Sequence, residues 1–271
     1  MLPYIIWTIR RTGGTSFTSL LDNLSSYPSL EHEPFNKNRV YGYITHKYHA
    51  GEESTVDEIY QILKDKPNIK HCFEIIPEQI NLNILKATQL LGYNQIFLYR
   101  SDQAARTMSL ILSQATNVWG PKQTARYAPY LNREKKLIIP NDHACRRKMQ
   151  SDRHLSENMY KHIQKLSSPL LIEFEQLYQE CEMSRKTYIE YIFSSMGIYG
   201  ALDEKVSFAQ LHLKKGVTKS TDIRKMIPSY QKTLKYLSKN EVPYSFQKKT
   251  RSQLSRFVTN AISRIINTFK S

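Results

Sequence analysis

Short apolar runs alternate along this chain with stretches of helical spacing, the pattern of an alternating α/β protein. Tyr4 to Ile9 is apolar except at Thr8 and predicts a first buried strand. Thr15 to Leu24 predicts a first helix, with Phe17, Leu20, Leu21 and Leu24 on one face. A polar, irregular stretch covers Ser25 to Asn38, and Tyr41 to Thr45 reads as a short strand. Val56 to Lys64 predicts a helix stopped near Pro67, and Cys72 to Ile76 a buried strand. Asn81 to Leu91 predicts a helix closed by Gly92, and Gln95 to Tyr99 a third strand that ends at Arg100 and Ser101. The helix Gln103 to Gln114 follows, with Ser101 or Asp102 as its N-cap. Thr124 to Lys165 is expected to be mostly helical, a cover rather than sheet. Leu170 to Phe174 is the last strong strand, and Tyr188 to Phe193 begins a further helix.

The C-terminal segment from Arg251 places Leu254, Phe257, Val258, Ala261, Ile262, Ile265, Ile266 and Phe269 on one helical stripe, with Arg256, Ser263, Asn267 and Lys270 opposite. Such a stripe docks on a protein's own core or, being basic, lies on an anionic membrane surface. No internal repeat or low-complexity linker interrupts the chain. One domain over residues 1–271 is therefore expected, with 120–168 as a helical elaboration and 251–271 as a C-terminal amphipathic helix.

At 271 residues the chain is long enough to bury a substantial core, and its 40% hydrophobic and 23% charged content suits a folded domain. No apolar stretch reaches the length of a bilayer crossing, and the N-terminus carries no secretory pattern. Cys72, Cys145 and Cys181 are odd in number and lack metal-ligand spacing, so a reducing, cytoplasmic setting is expected. The net charge of +15 calls for an anionic partner. The basic residues are spread and match no nucleic-acid-binding motif, so no nucleic acid is expected.

The chemistry concentrates in two places. Arg10 to Leu21 reads RRTGGTSFTSLL just after the first strand. A Gly-rich turn lets backbone N–H groups gather around an oxyanion, and the helix start adds its free donors and positive dipole end. The segment lacks the Gly-Lys-Ser/Thr ending of a nucleotide triphosphatase loop. The second place is LYRSDQAARTMSL, Leu98 to Leu110, where Arg100 stands at a strand's carboxyl end and Ser109 on the next helix. An arginine and a hydroxyl so arranged can grip one phosphate.

RTGGTS together with YRSDQAARTMSLILSQATNVW resembles the sulfotransferases that use 3′-phosphoadenosine-5′-phosphosulfate, in particular the bacterial carbohydrate branch that includes trehalose and Nod-factor sulfotransferases. Glu31 to Asn36, EHEPFN, is similar to that branch's acidic segment. The resemblance implies a P-loop-like three-layer fold with a mostly parallel central sheet and a large helical cover. It implies that Arg11, Thr12, Gly13, Gly14, Thr15 and Ser16 hold the 5′-phosphosulfate, and that Arg100 and Ser109 hold the 3′-phosphate. Gly14 departs from the Thr or Ser more usual in that loop. Lys214, Lys215, Gly216 and Lys219 are similar to a donor-binding basic stretch of the cytosolic branch and read equally well as a solvated charge run.

The expected reaction is metal-free sulfuryl transfer to a hydroxyl of a carbohydrate or glycolipid, with Arg11 stabilising the leaving phosphate. Glu33 is the expected base and His32 its rival, since neighbours on an extended segment point opposite ways. His46, Lys47 and His49 form a further polar cluster, read as exposed or as acceptor contacts. The alternatives are a P-loop kinase or nucleotide hydrolase, and a non-catalytic anion- or nucleic-acid-binding module.

Overall fold

The computed structural model describes residues 2–30, 32–179, 181–199, 202–213, 220–227 and 229–247, together with 252, 255, 257 and 259. Four strands, β1 (Tyr4–Thr8), β2 (Ile69–Cys72), β3 (Asn94–Tyr99) and β4 (Leu170–Glu173), form an all-parallel sheet in the order β2-β1-β3-β4. Ile5 pairs with Ile69, Trp7 with Phe97 and Tyr99 with Glu173. Every residue of β1 is buried. Ile5 and Trp7 enter one apolar cluster, whereas Tyr4 and Ile6 enter another on the opposite face. Cover on both faces explains why the strand reads as a nearly unbroken apolar run and makes the three-layer, P-loop-like α/β arrangement.

The helices among the described residues are α1 (Gly14–Leu24), α2 (Gly42–His49), α3 (Val56–Leu63), α4 (Glu78–Leu90), α5 (Gln103–Thr116), α6 (Ala128–Leu131), α7 (Asp142–Leu166), α8 (Phe174–Leu177), α9 (Glu182–Ser195), α10 (Leu202–His212), α11 (Ser220–Lys225) and α12 (Tyr230–Lys239). On one face α3, α4 and the far half of α7 pack with Trp7, Phe97 and Leu171. On the other, α1, α9 and α10 pack with Tyr4, Ile6 and Leu98. A third cluster joins α5, the start of α7, α11 and α12 through Met108, Met149, Ile223 and Leu237. None of these helices is long and apolar enough to cross a membrane.

Two predicted strands differ. Tyr41 to Thr45 lies in helix α2, where Gly42, Ile44 and Thr45 are buried and the Thr45 hydroxyl donates to the Phe35 carbonyl at 2.6 Å. Burial at neighbouring positions 44 and 45 is a helix pattern rather than a strand's alternation. The second strand occupies Ile69–Cys72 and gives way to a 3₁₀ turn at Phe73–Ile75. Its register with β1 ends at Thr8 against Cys72, so residues beyond have no ladder to join. Lys70 and His71 disguised its start, because charged and polar residues seldom occupy a buried strand.

The crossover from β1 leads to β2 on one side, and that from β3 leads to β4 on the other. The connections therefore diverge between β1 and β3, the place where open parallel sheets bind ligands. Outside β2 the chain runs parallel as an edge segment, with Asn68 N–H donating to Pro28 O at 2.7 Å and Glu33 N–H to Lys70 O at 3.1 Å. This path carries His32 and Glu33 to the carboxyl end of the sheet.

Candidate functional site

The Gly-rich turn between β1 and α1 requires its glycines. Gly13 sits at φ 75°, and a Cβ there would stand 2.6 Å from the Phe174 ring and 3.0 Å from Tyr178. The Gly13 carbonyl accepts from the Tyr178 hydroxyl at 3.3 Å, which ties the turn to α8. Gly14 is buried, and a Cβ on it would lie 3.1 Å from Lys70 Cε. Gly14 thus leaves room for a lysine stem from β2.

Lys70 is the site residue that sequence reasoning missed. Its side chain is 8% exposed, and Nζ donates to Glu33 Oε1 at 2.8 Å and reaches Thr15 Oγ1 at 3.5 Å. One ammonium therefore joins the glycine turn to Glu33, the expected base. Burial works against this charge, but the Glu33 carboxylate helps to hold Lys70 above its ordinary value. Burial likewise opposes the Glu33 carboxylate. Lys70 and the Cys72 thiol, 3.2 Å away, outweigh that and keep Glu33 ionised, its pKa lowered. Glu33 itself stands at φ 62°, a strained backbone for a residue with a side chain. The available signal was a lysine inside an otherwise apolar strand, since such a residue demands a partner.

His32 is disfavoured as a cation by burial and by Lys70, and its Nδ1 is buried with no hydrogen-bond partner among the described residues. His71, next to Lys70, is fully buried, meets Asn81 Oδ1 through Nε2 at 2.6 Å, and is pushed down to about 4 by burial. It is a neutral core group.

The two sequence motifs meet directly. Arg11, at φ 70°, donates from Nε to Ser109 Oγ at 2.9 Å and from Nη1 to the Trp119 carbonyl at 3.2 Å. Arg100 donates to Glu175 Oε1 at 3.2 Å and lies over the Phe174 ring. The other Glu175 oxygen accepts from the Ser101 N–H and hydroxyl, both at 2.8 Å. Burial lowers the Arg11 pKa, and the charges of Arg100 and Arg224 lower it further. Arg224, on α11, has a buried Nε without a hydrogen-bond partner among the described residues. No sequence signal marked it, because only packing brings α11 to this crevice.

Other expected residues lie nearby in different roles. The Thr12 hydroxyl turns inward, donating to Ile9 O at 2.7 Å and meeting Thr8, so Thr12 has only its backbone N–H to offer. Thr15 is exposed at the turn, and Ser16 is half-buried beside Tyr178. Asp102 caps α5 by accepting from Ala105 N–H. His46, on the exposed face of α2, contacts the Lys37 carbonyl, and Lys47 pairs with Glu58 at 2.7 Å. Glu31, Lys214, Lys215, Gly216, Lys219 and most of 251–271 lie outside the described residues; Phe257 packs edge-on against Tyr191. Among the described residues no three His, Cys, Asp or Glu side chains gather as metal ligands.

The chain matches no family model, no curated protein and no solved structure.

Proposed function

We propose that this chain is a sulfotransferase that moves a sulfuryl group from 3′-phosphoadenosine-5′-phosphosulfate to a hydroxyl of a carbohydrate or glycolipid acceptor. The observation that carries the reading is the meeting of Arg11 with Ser109 at the glycine turn, with Arg100 over the Phe174 ring that packs on Gly13 and Lys70 beside Thr15. The fit to such a donor rests on the turn, whose glycines let it close against Phe174 and the Lys70 stem at the start of α1, where free first-turn N–H groups favour an oxyanion. Arg11 and the α1 N-terminus would hold the 5′ side, and Arg100, Ser109 and Arg224 the 3′-phosphate.

When bound, the donor supplies an activated sulfuryl group on a phosphate leaving oxygen. Glu33, kept ionised, takes the proton from the attacking acceptor hydroxyl as its oxygen bonds to sulfur. Lys70 and Arg11 stabilise the electron pair left on the departing phosphate oxygen. Glu33 and Lys70 start as an ion pair at 2.8 Å, so proton capture by Glu33 frees the ammonium for the leaving side. The chemistry as written calls for no metal.

Calorimetric titration with 3′,5′-adenosine bisphosphate tests the reading. Wild type is expected to bind, and Arg100→Ala to bind at least about tenfold more weakly. No binding by wild type would sink it.

A further inference from the structure

Strand β2 turns two side chains toward Glu33. Lys70 and Cys72 stand two positions apart and so share one face of the strand, whereas His71 between them faces the core beside Trp7 and Phe35. The strand holds Glu33 at three points. The Glu33 N–H donates to the Lys70 carbonyl at 3.1 Å, Lys70 Nζ donates to Oε1 at 2.8 Å, and the Cys72 thiol donates to the same Oε1 at 3.2 Å.

Both side-chain donors therefore land on one oxygen. No hydrogen bond from the described residues reaches Oε2, and the Glu33 side chain is 20% exposed, so the carboxylate keeps one oxygen open to an incoming molecule. An ammonium on a long stem fixes a carboxylate's distance more than its rotation. The short Cys72 side chain, buried on the strand, supplies the second point that decides which oxygen turns inward. Burial pushes the Cys72 thiol well up, so its proton stays on sulfur and it remains a donor.

We infer that Cys72 is a positioning residue for Glu33: with Lys70 it fixes Oε1 inward and leaves Oε2 as the atom that takes the acceptor's proton. Its part in transfer rests on the sulfotransferase reading. The acceptor oxygen bonds to sulfur as its proton passes to Oε2, and the sulfur–oxygen bond to the donor phosphate breaks with its electron pair left on the phosphate. Cys72 keeps its own proton throughout. The charged or titratable groups that act on Glu33 are Lys70, Cys72 and His71 from β2, and His32 and Arg39 from its own segment. The variants below change Cys72 alone.

Carbon-13 NMR of labelled glutamate carboxylates, with Glu33 assigned from Glu33→Gln, follows its titration in wild type, Cys72→Ala, Cys72→Val and Cys72→Ser. The pH profile of donor hydrolysis is measured beside it, with water standing in for the acceptor hydroxyl. Cys72→Ala and Cys72→Val remove the donor with opposite effects on packing, and Cys72→Ser keeps one. Loss of this hydrogen bond is expected to raise the Glu33 midpoint by roughly 0.5–1 pH unit in both donorless variants and to move the acid limb of hydrolysis up by the same amount. Cys72→Ser is expected to restore both. An unchanged midpoint in the donorless variants, a midpoint that moves without the hydrolysis profile, or no restoration by Cys72→Ser would each overturn the role. A wild type that neither binds 3′,5′-adenosine bisphosphate nor cleaves the donor would overturn the sulfotransferase reading, while a midpoint shift in the same samples would leave the hold of Cys72 on Glu33 standing.

Discussion

Lys70 brings a further cation to the glycine turn from the neighbouring strand, beside the Arg11 that the turn itself carries. In the proposed reaction its removal has two costs, a lost charge on the leaving side and an orphaned Glu33 carboxylate. Lys70→Met is expected to lower kcat by roughly a hundredfold or more, the scale for loss of one preorganised donor, and to weaken the bisphosphate as well, because that product carries the 5′-phosphate whose charge Lys70 meets. Steady-state kinetics beside calorimetry measure both, and an unchanged kcat would remove Lys70 from the chemistry. Gly14→Val is expected to mimic part of this loss by crowding the Lys70 stem. Gly13→Ala should cost about 1–3 kcal/mol in urea unfolding, because it combines an unfavourable φ with a clash against Phe174. Glu33→Gln with unchanged turnover would pass the base role to another group.

Between elements, the carboxyl edge is braced by a buried strut. Arg106 on α5 is almost fully buried, donates to the Arg10 carbonyl at 3.3 Å and pairs with Asp152 on α7, which also takes Lys148 at 2.6 Å. The turn that carries Arg11 is thereby fixed to a helix distant in sequence. Arg106→Met is expected to destabilise the fold by about 3–5 kcal/mol, because Asp152 is left as a buried charge with only Lys148 for company. Adding Asp152→Leu should recover part of this, and a urea double-mutant cycle measures the coupling. Full additivity of the two losses would show that the strut is not a unit.

For the whole molecule, acid stability follows from buried groups. His71 falls from the ordinary 6.5 to about 4 in the fold, so between these values the unfolded chain binds the extra proton. Stability should therefore be full above about pH 6.5 and decline as pH falls toward 4, by on the order of 3 kcal/mol from this group. Glu33, whose pKa is also lowered, adds a loss below the usual carboxylate range. Urea unfolding from pH 7 to 4 checks the trend, and a flat profile would contradict it. The net charge of +15 should make donor binding weaken several-fold between about 50 and 500 mM salt, measured by the same calorimetry.

The alternation of buried runs and helical stripes, and β1 and β3 with their following helices, were legible in the linear chain, because each is a local signal: period, turn chemistry and helix start. The sheet order, the contact of Arg11 with Ser109, the pairing of Arg100 with Glu175, and the arrival of Lys70 and Arg224 were not. Those depend on which strands neighbour one another and on helices returning over the edge. The β2 boundary and α2 were misread for the same reason: a buried lysine looks like a surface residue until its partner is folded against it, and alternating tyrosines look like a strand until their helical burial is seen. The linear chain thus carried a glycine turn and a carboxylate, whereas folding supplied the ammonium between them, since a charge can be buried only beside the group that offsets it.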